Sequence, residues 1–153
     1  MKRKVVYAGP MTKVFSALFS AISVTVLAIP SLGASVDKTN DAYFSFGFQF
    51  ITGLIISLAI YIILIMPLSI LADGCIAQSM GSKRIMNMIT IIFTYCILGV
   101  VSGMIFALFV RVFNNISNIV PLFIVGALIY LIYQSLLTWI FNQIRLNYAR
   151  TRM

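Results

Sequence analysis

Residues 46–72, Phe46-FGFQFITGLIISLAIYIILIMPLSILA-Ala72, hold 27 positions without one charged side chain, and Asp73 closes the run at once. A membrane-spanning helix needs about 20 predominantly apolar residues, and a soluble domain has no use for an uncharged stretch longer than that. Lipid is therefore the solvent for which this chain is built. At 1.5 Å per residue the run extends roughly 40 Å, against a hydrocarbon core of about 30 Å. It must tilt or bend, and Pro67 is the natural place for a bend because it removes one link of the hydrogen-bond ladder. On that reading the segment Pro67–Asp73 is an elbow at the membrane surface.

Working outward, three more apolar runs cover 14–32, 85–112 and 119–144. The composition agrees: 61% hydrophobic and 9% charged residues over 153 positions, with a mean hydropathy of +1.07. The expected fold is an all-α membrane protein, a four-helix transmembrane bundle in a single integral domain, residues 1–153. The first run also has the layout of a secretory leader, with a basic head and small residues at Gly33-Ala34-Ser35. Its length favours a retained span; cleavage would leave three.

Charge placement sets the topology. With both termini in the cytoplasm, that side carries Lys2, Arg3, Lys4, Lys13, Lys83, Arg84, Arg145, Arg150 and Arg152, and the opposite side only Lys38 and Arg111. Nine cations against two is the positive-inside pattern, and it requires an even number of spans. The net charge of +8 then reads as orientation and attraction to anionic headgroups, not as a nucleic-acid surface. Tyr43, Phe44, Phe46, Phe48 and Phe50 form an aromatic belt where the second span enters the bilayer.

Each run carries a row of small or uncharged polar residues at helical spacing. Ser16, Ser20 and Ser23 mark the first; Gln49, Gly53, Ser57 and Tyr61 the second. Gly99, Gly103 and Ala107 form a ridge on the third, and Tyr130, Gln134, Thr138 and Asn142 recur every four residues on the fourth. Lipid offers no hydrophobic drive between helices, so such rows serve close packing and interhelical hydrogen bonds. Packing within the bundle is favoured over the lining of a solute path, and over joining of two copies through the Gly99/Gly103 pair. Gln134 is the deepest amide and needs a Tyr, Ser or Thr partner on a neighbouring helix.

Several chemistries are disfavoured. The chain has no His and no Glu, and Asp37, Asp41 and Asp73 all read as lying outside the apolar runs. No metal set, Ser–His pair or aspartate dyad can be assembled, so no catalytic, metal or cofactor residue is expected, and the chain reads as a non-enzyme. With no ionisable group at mid-span, proton-driven transport is disfavoured too. Arg111 is placed to snorkel at the outer end of the third span.

The segment Pro67-Leu68-Ser69-Ile70-Leu71-Ala72-Asp73 resembles a Pro-x-Ser-x-Leu-x-Asp elbow in small four-span membrane proteins of unknown function from low-GC Gram-positive bacteria. The resemblance implies a bacterial plasma membrane and no particular activity. In physical terms, Pro67 frees a carbonyl that Ser69 can bond, and Asp73 is within reach of Lys83 or Arg84 at the cytoplasmic surface. The expected role is contact with another membrane component, whether a different protein or a second copy, in a regulatory, immunity or accessory capacity. A passive permease or pore-forming protein, possibly oligomeric, is the alternative.

Overall fold

A computed structural model describes residues 9–33, 46–79, 84–111 and 116–150. The order is α1 (Pro10–Gly33), α2 (Phe46–Ile60), a π-helical turn (Tyr61–Ile65), α3 (Met66–Ser79), α4 (Arg84–Val110) and α5 (Ile116–Arg150). The described residues contain four segments long and apolar enough to cross a bilayer: Pro10–Ala28, Phe46–Ala77, Met88–Val110 and Ile116–Arg145. The protein is an all-α, multi-pass membrane protein.

The first helix is packed inside out relative to one in a water-soluble bundle. Along α1 the buried positions are Thr12, Lys13, Ser16, Ala17, Ser20, Ala21 and Thr25, while Val14, Phe15, Leu18, Phe19, Ile22, Val26 and Leu27 point outward. Small side chains let backbones approach, and the large apolar ones are left to lipid. The buried members recur in adjacent pairs every four residues, which makes a narrow ridge set against α2 and α5.

The α4–α5 contact is the tightest. A Cβ placed on Gly99 would stand 2.6 Å from the Ile124 Cα, and one on Gly103 would stand 3.2 Å from the Val120 Cα. Ala107, one turn on, is 1% exposed. The ridge read from the sequence is thus occupied by α5 of the same chain.

Three boundaries differ from the sequence expectation. The second span does not end in an elbow: the helix continues through Pro67 to Ser79, so Asp73 is helical and lies within the Phe46–Ala77 span. The wide turn just before explains how. In it the Met66 N–H bonds the Tyr61 carbonyl, five residues back, which moves the carbonyls away from the proline ring. The Ser69 hydroxyl donates to the Met66 carbonyl at 2.7 Å, not to the Ile63 carbonyl that Pro67 deprives of a donor. The fourth span, expected from residue 119, begins at Ile116, so that Pro121 lies inside α5. At the far end of α4, Arg111 takes a left-handed conformation (φ 55°) and stops the helix, its N–H reaching the Leu108 carbonyl at 3.4 Å.

Candidate functional site

Four segments meet in one polar cluster. Lys13 occupies the first turn of α1, and its ammonium donates to Asp73 Oδ2 at 2.7 Å and to Ser69 Oγ at 3.1 Å. Ser69 and Asp73 are four residues apart on α3, hence on one face. From α5, Gln134 Nε2 donates to the same Asp73 oxygen at 3.1 Å. From α4, the Tyr95 hydroxyl lies 3.1 Å from Asp73 Oδ1 and 2.9 Å from Gln134 Oε1. Tyr130 completes the cluster, its hydroxyl 3.3 Å from Ser69 Oγ and 3.5 Å from the Lys13 carbonyl.

The side chains of Lys13 and Asp73 keep only 6% and 18% of their exposure. Charges so far from water need both a counter-charge and hydrogen bonds. Both are supplied here: Asp73 faces three donors and the ammonium two acceptors. Tyr95 has one proton and two acceptors in range, so its hydroxyl can serve either the carboxylate or the amide.

Depth follows from helix geometry. Tyr95 lies 16 residues before Arg111, about 24 Å along the axis. With Arg111 at one interface and a core of about 30 Å, the cluster stands roughly 6 Å inside the opposite one, the end at which α1 starts and α5 finishes. On that placement the site lies near one membrane surface, about one helical turn below it.

Away from this cluster the interior is tied by isolated bonds. Ser23 and Tyr133 meet at 2.8 Å, and Thr25 reaches Ser57 at 3.3 Å while bonding the Ala21 carbonyl at 2.8 Å. The Tyr61 hydroxyl donates to the Gly126 carbonyl at 2.9 Å, a close approach in which a Cβ on Gly126 would stand 3.1 Å from the Tyr61 oxygen. Ser20 is fully buried, and its hydroxyl has no hydrogen-bond partner among the described residues. An apolar cavity of about 80 Å³ lies beside Tyr61, lined by Val24, Ser57, Ile60, Ile65, Leu122, Phe123 and Gly126.

The sequence-named residues fall into three groups. Ser69, Asp73, Tyr130 and Gln134 converge, although they come from two separately read features. Gly99, Gly103 and Ala107 lie apart from them, in the α4–α5 contact, and Thr138 bonds the Gln134 carbonyl of its own helix at 2.7 Å. Pro67 is exposed and takes part in none of the cluster's hydrogen bonds. Asp73 pairs with Lys13, and its expected pairing with Lys83 or Arg84 falls outside the described residues, which leave out Lys83 and the side chain of Arg84. The reading of all acids as extramembrane is corrected in the same stroke, because Asp73 is drawn into the bundle by a cation from another helix. Gln134 meets the expected kind of partner in Tyr95, and the carboxylate besides.

Lys13 and Tyr95 are the members that sequence reasoning missed. Lys13 passed for one more cation of the basic head, yet it leads the Ser16/Ser20 row at helical spacing. Tyr95 stands one turn before Gly99 at the same four-residue spacing, a buried head to the ridge that the sequence reading starts at Gly99. Comparison with protein-family models, curated proteins and solved structures gives no match for this chain.

Proposed function

We propose that this protein is a non-enzymatic component of a bacterial plasma membrane that acts through contacts with another membrane component, in a regulatory, immunity or accessory role. In this reading both termini face the cytoplasm and the basic ends lie against anionic headgroups. The supporting observation is how the interior polar groups are spent. Lys13, Asp73, Ser69, Tyr95, Tyr130 and Gln134 answer one another, and Ser23, Thr25 and Tyr61 answer groups of the same chain. Such an interior offers a passing solute few free partners, and the adjoining cavity is small and apolar. What the molecule presents outward is large and apolar, with Phe93, Phe109 and Trp139 among the most exposed side chains.

Two measurements on one preparation test the reading. Purified protein in liposomes should pass neither ions nor small neutral solutes above the lipid background. Photo-crosslinkers at Phe93, Phe109 and Trp139, introduced one at a time in the native membrane, should yield a discrete protein adduct from at least one face. Flux from the protein alone, changed in selectivity by Gln134→Leu, would overturn the proposal in favour of a permease.

A further inference from the structure

The two halves of the Lys13 cluster are of unequal standing. Everything that receives the ammonium belongs to α3, α4 and α5, whereas α1 contributes the occupant. The receptor is also set in advance. Ser69 has a single proton, committed at 2.7 Å to the Met66 carbonyl, so its oxygen can only accept from the cation. Asp73 is held from one side by the Gln134 amide and from the other by the Tyr95 hydroxyl. Tyr130 stands over Ser69 as the next neutral group.

The chemistry of these groups selects among cations. A bare metal ion would want about six oxygen ligands. Here the group next to Asp73 Oδ2 is an amide N–H, a donor, which turns its positive end toward any such ion. A quaternary ammonium has no N–H to give to Ser69. A primary ammonium on an alkyl stem satisfies both acceptors, and that is what Lys13 brings. Its tether is short: Lys13 lies in the first turn of α1, where helix ends open most readily. The Asp73 side chain keeps 18% exposure against 6% for Lys13, so of the pair it is the one left more open to approach.

We propose that Ser69, Asp73, Tyr95 and Gln134 form a binding site for a primary alkylammonium, which Lys13 fills from within and which an external amine takes by displacing it. On displacement the Lys13 ammonium reaches the headgroups, about one helical turn away, along its own flexible stem. The site would thereby couple amine binding to release of the start of α1. This inference does not depend on a protein partner, and its outcome is separable from the test above.

The probe is n-butylammonium, with tetramethylammonium and sodium at equal ionic strength as controls, on the full chain in lipid nanodiscs. In Lys13→Ala the site is vacated, and millimolar n-butylammonium should raise the unfolding midpoint by several degrees. The controls should not, and adding Asp73→Asn should abolish the effect. In the chain with its own Lys13, Thr12→Cys on a Cys75→Ser/Cys96→Ala background reports release of α1: n-butylammonium should speed thiol labelling severalfold. Should Lys13→Ala fail to assemble, Lys13→Met keeps the volume of the stem, and the labelling arm needs neither. No amine-specific stabilisation in the vacated site overturns the proposal. Stabilisation there without faster labelling of the Lys13 chain overturns displacement and leaves Lys13 a fixed structural tie.

Discussion

Asp73 answers to three helices other than its own, and this sets what its loss would cost. Removing one partner of a buried ion pair strands the other charge, typically at about 3–5 kcal/mol. Asp73→Ala should therefore destabilise the bundle by an amount of that order, read from unfolding by SDS in mixed micelles. Lys13→Met should cost less, since Asp73 would keep Gln134 and Tyr95 as donors and has the more exposed side chain. The double variant Lys13→Met/Asp73→Leu should be markedly more stable than Asp73→Ala, because no charge is left unanswered. Equal losses for Asp73→Ala and the double variant would show that the pair is not coupled. Gln134→Leu removes an amide from the carboxylate and an acceptor from Tyr95, and should cost about 1–3 kcal/mol.

Among the elements, α4 and α5 have no room between them at Gly99. The Ile124 backbone occupies the place where a methyl group would go, and backbone does not step aside as a flexible side chain does. Gly99→Ala should push the helices apart and cost about 1–3 kcal/mol, while Gly103→Ala, whose Cβ would stand 3.2 Å from the Val120 Cα and asks a smaller shift, should cost less. The same unfolding assay checks the order, and a reversed order would mean that the contact relaxes at its tighter end. The wide turn Tyr61–Ile65 is a different kind of element, an accommodation. A proline in a run of apolar residues reads from sequence as a break, since sequence gives no sign that the preceding turn will open by one residue. The helix survived Pro67, and so Asp73 stayed in the membrane. That single misreading is why the site was only half legible. Ser69 and Asp73 were read at a surface elbow and Tyr130 and Gln134 on a packing stripe, with nothing to say that the two features meet. The clue was electrostatic: an acid flush against a charge-free run needs a cation, and Lys13, set apart from Lys2–Lys4, leads a row of serines on one helix face.

At the scale of the whole molecule, four long apolar runs make the architecture readable, because only helices satisfy their own backbone in lipid. An even number of spans returns the chain to the side from which it began. A reporter fused after Met153 should read cytoplasmic and one inserted at Thr39 external; the opposite pair of readings would reverse the orientation proposed here. The inverted packing has a further consequence for anyone handling the protein. The serines and alanines that seat α1 have almost no oil-like area to withdraw from water, so recoating the outer Leu, Ile and Phe positions with polar residues would dissolve the chain while leaving that helix weakly held. Its cohesion is on loan from the surrounding fluid, and a water-soluble copy would need a new interior as well as a new coat.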